Sequence, residues 1–112
     1  MDSMIFHITT RSQWEQAQQL GEYRADSLET EGFIHCSTSA QLLWVANRFY
    51  RGQTGLVLLK IECDRLKTPL QFDEIETGEF FPHLYGSLNL DAVVQVLEFE
   101  PEADGSFQDI PL

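Results

Sequence analysis

Three histidines stand in this chain, each among large apolar neighbours: "IFHIT" around His7, "FIHCS" around His35 and "FPHLYG" around His83. An imidazole in such company costs stability unless its nitrogens find partners. Three separately satisfied core histidines are one outcome. The other is a shared cleft where imidazoles handle protons or grip a ligand. Thr9 follows His7 by two residues, and Ser37 follows His35 by two. On an extended strand that spacing puts hydroxyl and imidazole on one face, a pairing suited to a ribose diol or a phosphate. Tyr85 bears the same relation to His83 and offers a ring for stacking. His7, His35 and His83 are therefore the candidate catalytic residues. Thr9, Ser37 and Tyr85 are the candidate ligand-binding residues, with packed aromatic the plainer role for Tyr85.

Other chemistries fit less well. His7, His35, Cys36 and His83 are zinc-ligand types, but the histidines lie 28 and 48 residues apart, and no C-x-x-C or H-E-x-x-H spacing supports them. No metal site is expected. Adjacent residues on a strand point to opposite faces. If His35 faces a cleft, Cys36 faces the core, which argues against a nucleophilic Cys–His pair. Cys36 and Cys63 read as free thiols rather than a disulfide framework. Ser37, Thr38 and Ser39 precede a helical pattern, where free N–H groups are either capped or hold an anion. Arg11 and Arg24 are the cheapest charges for a nucleotide phosphate. Arg48 falls off its helix's apolar stripe and reads as solvent-facing, and Asn89 either caps a turn or orients a ligand.

The elements that must position these residues follow from periodicity and punctuation. "MIFHIT" reads as a strand. Ser12 and Glu15 have capping-box spacing, Trp14, Ala17 and Leu20 recur at helical spacing, and Gly21 supplies a stop, so a short helix is expected over 13–20. "YRADSLETEG" is polar and unpatterned, a loop. "GFIHCS" is a short strand. In "TSAQLLWVANRFYRG", Thr38 and Gln41 repeat the capping-box spacing, and Leu42, Val45, Ala46 and Phe49 form a stripe. "TGLVLLKIEC" is an almost continuous apolar run, a strand for the centre of a sheet. Pro69 starts a short strand away from a central ladder, "FFPHLY" is another strand turning at Gly86, and "LDAVVQVLEFE" is a final long one. Two short helices and five or six strands make a small α+β fold. Residues 1–112 form a single domain, with its core over about 4–100 and a peripheral tail over 101–112.

The chain has 112 residues and is 43% hydrophobic, enough for one core. Its formal charge of -11 opposes general binding to a nucleic-acid backbone. No apolar run is long enough to span a membrane and no secretory leader is visible, so a cytoplasmic location is the expectation.

Taken together, "FHIT...W..A...G.Y", "GFIHCS....L..VANRFY.G...LVLL.I" and "FPHLYG.LN..AVV.V" resemble family number 952 of the domains of unknown function, from Ile5 to about Val96. That family is similar in fold to the ADP-ribosyltransferases, and especially to their RNA 2'-phosphotransferase branch. The resemblance implies two small curved sheets around a nucleotide cleft, NAD as a possible substrate, and no permanently bound cofactor. It implies that His7, with Thr9, holds the ribose of NAD, and that His35, with Ser37, packs near the nicotinamide. At the third place, where relatives often carry a glutamate, this chain has His83, which lacks a fixed negative charge; Glu79 is near but not at the matching position. The expected function is NAD or ribosyl-phosphate binding, with ribosyl or phosphoryl transfer. The alternatives are a non-catalytic nucleotide or metabolite sensor and a structural protein-interaction module. The expected partner is a small nucleotide or phosphate ligand, not nucleic acid or a membrane.

Overall fold

The computed structural model describes residues 4–110; the first three and last two residues of the expected unit lie outside the described residues. The elements run β1 (Met4–Thr10), α1 (Arg11–Leu20), β2 (Glu22–Tyr23), α2 (Asp26–Thr30), β3 (Ile34–His35), α3 (Leu42–Phe49), β4 (Leu56–Glu62), β5 (Leu70–Glu74), β6 (Phe80–Leu84), β7 (Leu88–Asn89) and β8 (Val93–Phe99), with single 3-10 turns at Cys63–Arg65 and Leu90–Ala92. They build an α+β fold of three antiparallel sheets, ordered β1-β4-β8, β2-β7 and β3-β6-β5. Among the described residues no helix is long and apolar enough to cross a membrane.

The apolar run of β4 lies at the centre of the largest sheet, between β1 and β8, as a strand buried on both faces requires. The period of two then divides the interior. Ile5, Val57, Leu59 and Ile61 share one core with Trp14 and Ala17 of α1. Phe6, Ile8, Leu56, Leu58 and Phe99 share the other with Leu42 and Ala46 of α3. Each face of the central sheet thus carries one helix. Each fully buried aliphatic side chain of β4 contributes about 1.5–3 kcal/mol.

Several expectations need correction. Among the described residues there are three helices, not two: the polar stretch after Arg24 forms the five-residue α2, which buries no side chain and so has no apolar stripe to betray it. Helix α1 begins two residues earlier than expected and is capped by Thr10, not Ser12. Thr10 Oγ1 accepts from the Gln13 N–H at 3.1 Å, because the helix starts directly off the strand end. Helix α3 begins at Leu42, and Phe49 projects into solvent at 62% exposure, beyond the reach of the core. The segment after Pro101 is not peripheral. Phe107 is buried and stacks on Phe99 at 4.7 Å between centroids, and Asn47 bonds both its N–H (2.8 Å) and its carbonyl (2.9 Å). Phe99 ends the last strand, and this segment covers its ring.

Gly86 adopts φ +152, and a Cβ there would stand 2.6 Å from Thr68 Cγ2. Gly86→Ala is expected to lower stability by roughly 1–3 kcal/mol through overpacking at the turn that ends the His83 strand. Urea denaturation followed by circular dichroism measures it, and an unchanged midpoint refutes it.

Candidate functional site

Strands β3 and β6 pair so that His35 stands opposite His83. Cross-strand partners share a face, and the two imidazoles meet edge to face with centroids 5.3 Å apart. They lie on the wall of a cleft of about 810 Å3 whose lining also includes His7 and Ser37. The sheet carrying the pair is fastened to the central sheet along β1. Phe6 and Ser37 exchange backbone hydrogen bonds at 2.8 Å each, and beside them the His7 Nδ1–H donates to the His35 carbonyl at 2.6 Å.

Each imidazole of the pair has its own carboxylate. His83 Nδ1–H donates to Asp73 at 2.8 Å, and His35 Nε2 lies 3.1 Å from Glu31. Asp73 also accepts from the Tyr85 hydroxyl and, through its other oxygen, from the Gln71 side-chain amide at 2.7 Å. The Tyr85 bond and then the His83 bond hold the Asp73 carboxyl below the usual carboxylate range. An ionised Asp73 fixes the proton of a neutral His83 on Nδ1 and leaves Nε2 as a proton acceptor. Phe33 stacks on His83 at 4.0 Å and 16°, and also touches His35 (4.8 Å) and Tyr85 (5.4 Å). His83 is consequently only 6% exposed, whereas His35 is open to solvent.

His7 is a different case. Burial pushes its pKa down to about 4, so it is neutral near pH 7. With its proton on Nδ1 for the His35 carbonyl, its Nε2 accepts from the Tyr23 hydroxyl at 2.8 Å. Tyr23 Oη also lies 2.9 Å from Thr9 Oγ1, which lies 2.9 Å from Gln13 Oε1. Tyr23 has one proton to give. While His7 is neutral that proton goes to the ring, Thr9 donates back to Tyr23, and Gln13 must present its amide N–H. When His7 is charged the chain runs outward, from Nε2–H to Tyr23, Thr9 and the Gln13 carbonyl. Burial also pushes Tyr23 up to about 12, so the phenol keeps its proton.

The six expected site residues therefore divide. His7, His35, His83 and Ser37 line the cleft, whereas Thr9 and Tyr85 do not. Thr9 is 3% exposed and spent on the Tyr23 network, and Tyr85 turns to Asp73 at the rim. The phosphate cradle expected near Ser37 is partly consumed: the Ser37 N–H serves Phe6 and the Thr38 N–H donates to Gln41 Oε1 at 3.0 Å. Arg11 pairs with Glu98, and Arg24 lies 3.8 Å from both Glu22 and Glu29, so neither lines the cleft; Arg48 does. Asn89 ties the loop at 65–67 to its own turn, bonding the Arg65 carbonyl, the Lys67 N–H and the Asp91 carboxylate. Glu79 accepts from Gln41 at 3.1 Å. Cys36 faces the core, where burial pushes its thiol up to about 12. Among the described residues no three His, Cys, Asp or Glu side chains gather as a metal-holding group. Sequence reasoning missed Phe33, Asp73 and Glu31. Phe33 was within reach, being two residues before His35. Asp73 required the β5–β6 register, in which it faces Phe81 beside His83.

Residues 8–96 match the family described as Protein of unknown function (DUF952), and the chain belongs to that family. Protein CC0527 of Caulobacter crescentus is similar throughout. Its crystal structure is 33% identical, with a TM-score of 0.87 over 95% of this chain and 94% of that one. Its solution structure is 33% identical, with a TM-score of 0.82 over 94% and 91%. No curated protein matches the chain.

The buried His7 makes stability depend on pH. Its folded pKa, about 4, lies below the ordinary 6.5. Its contribution is therefore complete above pH 6.5 and is lost as pH falls towards 4, amounting to roughly 3 kcal/mol. The stability advantage of the wild type over His7→Gln is expected to shrink across that window in denaturant titrations; a constant difference refutes it. Tyr23→Phe leaves His7 Nε2 without a partner, and is expected to cost about 1–3 kcal/mol at pH 7 by the same measurement. No loss would show that Tyr23 is not its donor.

Proposed function

We propose that this member of the family binds the nicotinamide-riboside end of NAD, or a related ribosyl-linked planar ring, in the cleft, and transfers the ribosyl group. The observation that carries the reading is the pair of carboxylate-buttressed imidazoles, His35 with Glu31 and His83 with Asp73, in edge contact on one cleft wall. An ADP-ribosyltransferase-like architecture is part of this proposal.

Ribosyl transfer breaks the bond between C1' and the ring nitrogen. Both electrons pass to the leaving nicotinamide, and the acceptor's lone pair closes on C1'. The acceptor's proton needs a base, and His83 Nε2, oriented by Asp73, supplies one. The sugar passes through an oxocarbenium-like centre that a fixed negative charge steadies. His83 lacks that charge, but Glu31, beside His35 on the same wall, carries it. The same carboxylate disfavours a polyphosphate beside the imidazoles, so the pyrophosphate of NAD belongs next to Arg48, the one arginine or lysine on the lining among the described residues. His7, with both ring nitrogens already bonded, positions His35 through its carbonyl.

A non-catalytic sensor using the same cleft is favoured by one observation: the Phe33 ring covers His83 at 4.0 Å. Titrating the protein with NAD at millimolar concentration, with imidazole NMR and nicotinamide release followed together, separates the readings. Transfer predicts shifts at His35 and His83 with release, and a loss of release of about 10²–10⁴-fold in His83→Ala. Shifts without release support the sensor. Unmoved imidazole signals overturn both.

A further inference from the structure

The outer half of the cleft is built differently from the imidazole end. On α3, Trp44 is 50% exposed and Phe49 62%. The Trp44 ring lies 6.2 Å from that of Phe49 and 6.3 Å from that of Phe81. Exposed aromatic groups gathered on a cavity wall mark a surface suited to a ligand. The same cavity is lined by Glu74 and Glu76, from the end of β5 and the turn that follows it. Neither forms an ion pair among the described residues. The third cleft glutamate, Glu31, is engaged by His35. Against these carboxylates the lining sets, among the described residues, a single arginine, Arg48, whose guanidinium lies 6.0 Å from the Phe49 centroid. A cation thus already rests near one aromatic ring of this wall. Trp44, of the ring type that attracts cations most strongly, has no such neighbour among the described residues.

We infer that the outer half of the cleft binds an organic cation of the alkylammonium class, with its apolar groups against Trp44 and Phe81 and its charge balanced by Glu74 and Glu76. Charge decides among the occupants that the rings alone would accept. An anion meets unpaired carboxylates, and a neutral apolar group gains only the aromatic contact. A cation gains from both, and gains more where the cleft excludes water. The assignment concerns the aromatic wall and does not rest on ribosyl transfer at the imidazoles.

The test uses choline and its uncharged isostere 3,3-dimethyl-1-butanol, each titrated into the full chain without NAD, with the Trp44 indole N–H followed by NMR. Choline is expected to shift that signal saturably, and the isostere to bind about tenfold more weakly. The pair Glu74→Gln and Glu76→Gln is expected to weaken choline binding several-fold and leave the isostere unchanged. Circular dichroism checks that the variant is folded, and added salt should mimic its effect on the wild type. Equal affinity for the two probes overturns the inference, as does a shift that does not saturate, or one that appears at the buried Trp14 instead of Trp44. The imidazole signals and nicotinamide release are not its readouts, so failure of the ribosyl reading leaves the result standing.

Discussion

The sheet that carries His35 and His83 is fastened to the central sheet by a short seam, and the buried hydrogen bond from His7 to the His35 carbonyl lies in it. Strand β3 has only two residues, so it cannot hold its position by ladder bonds alone. The seam adds the Phe6–Ser37 exchange and the imidazole contact, while the Cys36 N–H reaches back to the Pro82 carbonyl. A net hydrogen bond is worth about 1 kcal/mol, but leaving a buried imidazole nitrogen unpaired costs about 1–3 kcal/mol. The seam is therefore stabilised less by what the bond gains than by what its loss would cost. Its failure would separate the walls of the cleft.

That constraint explains why three histidines of similar sequence surroundings differ chemically. His7 sits in the seam, where water is absent, and stays neutral because charging it would strand a cation in the core. His35 stands in solvent beside Glu31. His83 is as little exposed as His7, but it is held by Asp73 on one ring edge and covered on one face by Phe33. The three stand on three different strands, β1, β3 and β6, and each takes its setting from what packs against it there.

The alternation was readable in the sequence, and so was much that goes with it: Cys36 inward and His35 outward, and the central place of β4. Sharing a face did not amount to sharing an opening. Thr9 is on the same face as His7, yet that face belongs to the first core, where Tyr23 and Gln13 claim its hydroxyl. Tyr85 lies one residue past the end of β6, where the chain has already turned towards Asp73. The partner carboxylates were hidden for a different reason. Asp73 becomes a neighbour of His83 only through hairpin register, and Glu31 meets His35 only because the short α2 precedes it. Neither register nor a stripe-less helix leaves a periodic trace.

The stack of Phe33 on His83 sets a condition on any ligand that approaches from that side. A planar ring that stacks there must take the place that Phe33 holds. The gain is then the difference between two stacks, each worth about 0.5–1.5 kcal/mol beyond buried area, and is therefore small. The backbone cannot readily move the phenyl group away, since Ser27 donates to the Phe33 carbonyl at 2.7 Å and the Glu31 and Gly32 N–H groups donate to the Ser27 carbonyl. Only side-chain rotation remains, and it uncovers His83 without disturbing the seam. Selectivity at this end must then come from groups that Phe33 cannot imitate: a charge facing the cleft glutamates, or a proton donor meeting His83 Nε2.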